Sequence, residues 1–444
     1  MYPLNHCQQI EIYILEYLAY LYIRYIIIKF LYYLIMPRIL LLGLGCVGGC
    51  VYQMISNYFD NIELTILDKM DNLEQEILKY KSTSKLNMNF NTHSINAEIT
   101  KENYIDLLTP LFKSVDAVIN LTTRVDSKLL VLLADKCNIV YLDAAVELFT
   151  KCFVPIYHRH KEMRELKVRK TALLEHGMNP GVISYLCQIG EKHCKFKPDI
   201  IYITEYDTHI LKKSDPNIFY NTWSPYGLYE EATENAEMSW HEKIDNIKQF
   251  EQMIVFDQPG YKVELEGWTP LPQAFDGDIK GKFYKGYVIT HGETESISNR
   301  VKNVNCAFVF RICPEAQKGI SKWGMNEAPK YRQMFGKDIK YGSDTIGVLL
   351  GSKGLNKTWW IGNKVTFEEA MELSELQNGA SITVAAACLA GIKWCLNNPN
   401  EGILFPDDIK DYMPIWNDCK KYMGKLLSCE GPPLDNFNLI PEVI

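Results

Sequence analysis

This chain of 444 residues lacks any CxxC pair, and its 13 cysteines, an odd number, show no zinc or disulfide spacing. That excludes a zinc ribbon and a disulfide-stapled secreted fold. It points to a reducing cytoplasm, with cysteines such as Cys46, Cys306 and Cys388 serving as small buried apolar groups. An excess of positive charge is missing too. The 47 basic and 54 acidic residues leave −7 at pH 7, which argues against a nucleic-acid binder. There is no internal repeat, low-complexity tract or long Pro/Gly linker after residue 36. With 47% hydrophobic and 23% charged residues, a large core in two or three domains is expected.

A long uncharged run is absent as well. Residues 10–35 are rich in Ile, Leu and Tyr, yet Glu11, Glu16, Arg24 and Lys29 interrupt them. No stretch reaches the roughly 18 apolar residues of a spanning helix, so no integral membrane span is expected. The charges inside the apolar part, with no small-residue cleavage site after it, do not match a secretory signal. Met36-Pro37 stands directly before the first strand. Residues 1–35 are therefore expected to be a non-native or dispensable extension, with a peripheral membrane anchor as the other reading.

From there, short apolar strands alternate with helices. Residues 38–42, 63–67, 117–120 and 139–142 read as strands, and 50–58 as a helix. This pattern predicts a parallel sheet covered on both faces, a Rossmann-type α/β domain over residues 36–150. After residue 195, strands at 200–204, 253–256, 261–266, 283–290 and 304–312 follow with turns between them. They predict a second, sheet-rich α+β domain over residues 151–375, which the resemblance given below implies is the substrate and dimerisation domain. Residues 347–350 and 358–361 look like a late hairpin. The apolar, small-residue helix at 380–397 must be buried, and is expected to return to the first domain. Residues 400–444 form a C-terminal segment.

Gly43-Leu-Gly45-Cys46-Val47-Gly48 follows the first strand and opens a helix, and Asp68 ends the next strand 20 residues after Gly48. A GxGxxG alone is weak evidence; in this context it marks a dinucleotide site. Gly43 permits the turn, Gly45 lets the backbone approach the pyrophosphate, and Gly48 lets the helix pack on the sheet. Asp68 should bind the ribose hydroxyls and repel a 2′-phosphate, which favours NAD over NADP; the adjacent Lys69 weakens that preference slightly. Asn120, Thr122 and Thr123, after a later strand, are expected to wall the cofactor.

Polar residues that a core would not want gather in four later segments. These are His176-Gly-Met-Asn179-Pro-Gly181, Thr204-Glu205-Tyr-Asp207, Asn221-Thr-Trp223-Ser with Glu230-Glu231, and Thr290-His291-Gly-Glu293. Each has an ordinary reading. Glu205 and Asp207 can be a solvated strand end, His291 a structural histidine, and Trp223 a core residue. Against these, His291 and Glu293 two apart on a strand would share one face and could set protonation for amine chemistry. A tryptophan face can also hold an ammonium or iminium. His176, His209 and His291 show no metal-ligand spacing, so no metal is expected.

Taken together, HGMNPG at 176–181, TEYDTH at 204–209, NTWS at 221–224 with the glutamates to 231, AEMSW at 236–240, THGE at 290–293, DTIGVLLGS at 344–352 and the helix at 380–399 resemble the bacterial-type homospermidine synthases, a branch of the saccharopine dehydrogenase-like families. The likeness runs from about residue 37 to about 413. It implies a cytoplasmic homodimer that uses NAD to join two putrescines, or spermidine and putrescine, through hydride abstraction, imine exchange and hydride return. Ammonia or diaminopropane is released. It also implies roles: Asn179 near the nicotinamide and substrate; Glu205 and Glu231, with Asp207 and Glu230 beside them, binding diamine nitrogens; Trp223 stabilising the cation; His291 and Glu293 at the inner end. Pro225-Tyr226 departs from the family pattern and leaves Glu230 against Glu231 open. Two other functions fit less well. A saccharopine- or carboxynorspermidine-type dehydrogenase with net NAD(P)H turnover needs Arg or Lys clamps for carboxylates. A non-catalytic NAD- or polyamine-binding protein would not need His291 beside Glu293.

Overall fold

The computed structural model describes residues 36–444 except 151, 243, 245, 246, 278 and 279; the expectation for residues 1–35 lies outside the described residues. Arg38–Leu42 buries Ile39, Leu40, Leu41 and Leu42 completely, as a strand covered on both faces must. It lies between Glu63–Asp68 and Ala117–Asn120, parallel to both. The whole sheet has seven parallel strands, in the order Ile403–Leu404, Ala172–Leu173, Val140–Asp143, Ala117–Asn120, Arg38–Leu42, Glu63–Asp68, Asn91–Asn96. Strand order reverses beside Arg38–Leu42, and that reversal opens a crevice at the carboxyl ends. Two of the strands come from beyond residue 150 in sequence.

The helix Gly379–Asn397 is held at its start by a capping box. Asn378 accepts from the Ser381 N–H, and the Ser381 hydroxyl accepts from the Asn378 N–H. By length and apolarity alone this helix could cross a membrane, but most of it is buried inside the protein. It packs on the helix Cys46–Met54 and on Val140–Asp143. Small residues make the approach possible. A Cβ on Gly391 would lie 2.6 Å from His176 Nδ1 and 2.7 Å from Leu142 Cδ1.

The second sheet is mixed, with eleven strands. Ile200–Asp207 runs parallel to Asn305–Arg311 and antiparallel to Ser343–Ser352, which forms a hairpin with Lys357–Thr366. Lys425–Glu430 and Glu442–Val443, from the end of the chain, complete its edges. The expected strand near 261 begins at Val263, because Gly260–Lys262 forms a 3-10 turn first. The architecture is thus an α/β Rossmann-type unit joined to a sheet-rich α+β unit.

Register decides what the second sheet presents. Glu205 lies opposite Phe310 and Ile346, and Asp207 lies opposite Asp344. Paired residues, and residues two apart along a strand, share a face. Glu205, Asp207, Asp344, Ile346, Phe308 and Phe310 therefore share one side.

Gly391→Val should overpack this contact and cost about 1–3 kcal/mol or more. Thermal unfolding of the variant against wild type checks it; an unchanged midpoint would show that the helix does not need this close approach.

Candidate functional site

The glycine loop has the geometry its residue types demand. Gly43 sits at φ +92°, a left-handed conformation, with room for a Cβ blocked by the Leu121 carbonyl at 2.8 Å. A Cβ on Gly48 would lie 2.0 Å from the Gly43 carbonyl oxygen, so the helix packs directly on the turn. At Gly45 a Cβ would meet nothing, and no side chain caps the helix Cys46–Met54. Its first N–H groups are left for an anionic ligand. The Asp68 carboxylate accepts from Leu44 N at 2.6 Å and Met70 N at 2.9 Å, which fixes it on the wall of the cavity that Gly43, Gly45, Cys46, Val47, Gly48, Thr122 and Thr123 also line. Lys69 pairs with Glu98 at 2.9 Å.

Val47, Thr122 and Thr123 also line an adjoining cavity, which Asn120 enters. The buried Asn120 donates to Tyr141 Oη at 2.9 Å and accepts from the Thr122 hydroxyl at 2.5 Å. Asn179, Glu205, Trp223, Glu231 and His291 stand on the far side of the same cavity, over Phe308 and Phe310. Residues more than a hundred positions apart in the sequence thus face the cofactor wall together. Trp223 lies only partly buried on the cavity wall; it precedes the helix Pro225–Thr233, whose start Ser224 caps by accepting from Gly227 N at 3.0 Å. The Cys46 thiol donates to the Trp223 carbonyl at 2.9 Å and ties the loop to the tryptophan.

His291 and Glu293 correct the expectation of a shared strand. Strand Gly281–Val288 ends before them, His291 caps the helix Gly292–Arg300, and Glu293 lies in its first turn. The reversal still brings them together, with His291 Nδ1 at 2.8 Å from Glu293 Oε2. The imidazole stacks on Phe308 with ring centres 4.2 Å apart, and its Nε2 lies 4.0 Å from Glu231 Oε2. Glu293 is buried and does not line the cavity. Burial alone would lower the histidine pKa; Glu293, Glu231 and Glu205 outweigh it and push it up to about 9.

The carboxylates show the opposite strain. Burial pushes Glu205 up to about 8, against the donation it receives from Asn179 Nδ2 at 2.6 Å. Burial likewise pushes Glu231 up to about 8. Asp344, which the sequence reading did not single out, is raised well above the carboxylate range by burial and by Glu205 and Asp207. Glu231 Oε2 and Asp344 Oδ1 are buried with no hydrogen-bond partner. Glu147, also not singled out, lines the cavity and is raised to about 7 by burial.

Two expected substrate carboxylates are already committed elsewhere. Asp207 accepts from His209 N at 2.8 Å and from the Thr222 hydroxyl at 3.1 Å, and does not line the cavity. Glu230 accepts from Arg124 Nε at 3.0 Å and from Tyr226 Oη at 2.8 Å. Glu147 follows the carboxyl end of a parallel strand, a position that could have flagged it. Asp344 had no such local signal, because cross-strand register brings it in.

Residues 39–176 match the saccharopine dehydrogenase NADP binding domain family, and residues 177–425 the saccharopine dehydrogenase C-terminal domain family. The chain is 24% identical over 473 residues to a homospermidine synthase of Mesorhizobium japonicum, covering 91% of this chain and 93% of that one. It is 26% identical over 457 residues to that of Blastochloris viridis, covering 89% and 91%. Among solved structures it is similar to the homospermidine synthase from Legionella pneumophila in complex with NAD, with a TM-score of 0.77, 24% identity, and coverage of 89% and 91%. It is also similar to apo saccharopine dehydrogenase (L-Glu forming) from Saccharomyces cerevisiae, with a TM-score of 0.55, 14% identity, and coverage of 89% and 100%.

The raised carboxylates set a pH dependence. Glu205 and Glu231 move from an ordinary 4.5 to about 8, so the folded protein holds protons that the unfolded chain has released between those values. Stability should therefore fall as pH rises across that window. Melting temperatures measured from about pH 5 to 8 should decline, and Glu205→Gln should flatten the slope; equal slopes in both proteins would refute the assignment. Gly48→Ala, which drives a methyl into the Gly43 carbonyl, should abolish dinucleotide binding measured by fluorescence titration.

Proposed function

The chain belongs to the saccharopine dehydrogenase family, and on that footing we propose that it makes homospermidine by joining diamines around bound NAD. The observation that carries this reading is the charge of the main cavity. Glu147, Glu205, Glu231 and Asp344 converge beside Trp223 and His291, and among the described residues no Lys or Arg lines it. A substrate bearing carboxylates would find no Lys or Arg clamp there, whereas a diamine brings two ammonium groups to carboxylates that no Lys or Arg side chain meets inside the cavity. Binding a dication would also lower the raised carboxyl pKa values and release protons.

Gly43, Gly45, Cys46, Val47 and Gly48 are suited to hold the pyrophosphate, Asp68 to hold an unphosphorylated ribose, and Asn120, Thr122 and Thr123 to flank the nicotinamide end. NAD, when bound, supplies a hydride acceptor and donor for the carbon that bears the reacting amine. Glu205, oriented by Asn179, and Asp344 hold the distal ammonium at the inner end. The reacting amine must be neutral, and the His291–Glu293 pair takes its proton. His291, held by Glu293 and stacked on Phe308, returns a proton to the departing ammonia. Trp223 lays its ring along the iminium that the second diamine attacks. Asp207 braces the strand end through His209 and Thr222, and Glu230 serves Arg124 rather than the substrate. Protein with catalytic NAD and spermidine in place of one putrescine should release diaminopropane. A cytoplasmic location belongs to this reading, supported by described cysteines that are all free and mostly buried, and a homodimer is proposed with it.

Catalytic NAD with excess putrescine should yield ammonia and homospermidine without net NADH. Stoichiometric NADH, or a requirement for a carboxylated substrate, would overturn the reading. Trp223→Ala should lower turnover at least about tenfold, given a desolvated cation–π contact of about 2 kcal/mol, with NAD affinity unchanged.

A further inference from the structure

Beyond the main cavity lies a vestibule that shares Glu147, Glu231 and His291 with it. The vestibule is acidic in composition but not in free charge. Glu234 pairs with Arg159 at 3.3 Å, and Glu175 lies 3.0 Å from His160. Glu230 is held most firmly. Both Arg124 Nε and a terminal Arg124 nitrogen donate to its Oε1, and Tyr226 Oη donates to the same oxygen. The Arg124 guanidinium lies 4.8 Å from the centre of the Tyr226 ring. Its backbone is fixed as well, at φ +58° with its N–H donating to Glu147 at 3.0 Å.

Counting outward along an extended polyamine, the first ammonium meets Glu205 and Asp344. The second nitrogen lies at Trp223 and His291, where the new bond forms. The third meets Glu231 and Glu147. A fourth would enter the stretch where Glu230, Glu234 and Glu175 already face Arg124, Arg159 and His160. An ammonium that leaves water for a partly desolvated channel without a carboxylate of its own binds unfavourably, and this acts as a specificity filter.

We propose that the Arg124–Glu230–Tyr226 clamp ends the line of ammonium sites after the third nitrogen, so that the enzyme stops at a triamine and does not extend its own product. The proposal rests on the homospermidine reading. Arg124 and Glu230 act on selectivity, not on the reacting atoms.

The test is equilibrium binding to the NAD-loaded protein, by calorimetry, of a triamine (homospermidine) and a tetraamine (spermine). R124Q takes the guanidinium away from Glu230 and should raise the tetraamine-to-triamine affinity ratio about tenfold. E230Q leaves Arg124 unmatched and should lower the same ratio. Products from putrescine and NAD, followed by mass spectrometry, should reach tetraamines with R124Q and stop at the triamine in wild type. An unchanged ratio in either variant overturns the proposal, and so does loss of NAD binding by R124Q, which would assign Arg124 to the nucleotide. If wild type makes no homospermidine, the synthase reading fails, while the binding ratios still decide this one.

Discussion

Carboxylates removed from water without matching cations are costly to keep ionised, and the centre of this protein gathers Glu147, Glu205, Glu231 and Asp344 around one cavity. Burial raises the pKa of all four, His291 stands among them with its own pKa raised by the acids, and Phe308, Phe310 and Trp223 line the same cavity.

Other acids in the neighbourhood are matched instead. Asp207, Glu230, Glu234 and Glu293 each have a donor or cation within hydrogen-bonding or ion-pair reach. They position things: Glu293 the imidazole, Asp207 the strand end, Glu230 the guanidinium of Arg124. Dividing the acids into matched and unmatched ones separates scaffold from site more sharply than proximity does.

Binding of nucleotide and organisation of the amine pocket are joined through short connections. Cys46, inside the glycine loop, donates to the Trp223 carbonyl, and Asn378, at the start of the long helix, donates to the Thr222 carbonyl next to it. The tryptophan segment is therefore anchored from both the cofactor loop and the helix Gly379–Asn397. A small-residue helix is what lets these parts approach, since Gly391 leaves no room for a side chain beside His176.

Much was legible in the amino-acid order because it depends on local geometry. The glycine loop, Asp68 at a strand end, the apolar strands and the buried helix follow from φ restrictions, dipoles and periodicity that operate within a few residues. The HGMNPG, TEYD, NTWS and THGE segments likewise marked polar groups out of keeping with a core. What the sequence could not decide was pairing across the fold. It suggested a common strand for His291 and Glu293, where a turn into a helix brings them together instead. It left Glu230 and Glu231 equivalent, and only the guanidinium of Arg124, over a hundred residues earlier, claims one of them. Asp344 enters the site through its register opposite Asp207, a relation set by sheet packing, so no neighbour in the chain announces it. Local chemistry determined the cofactor loop; long-range register and ion pairing decided which acids meet an arginine and which line the cavity without one.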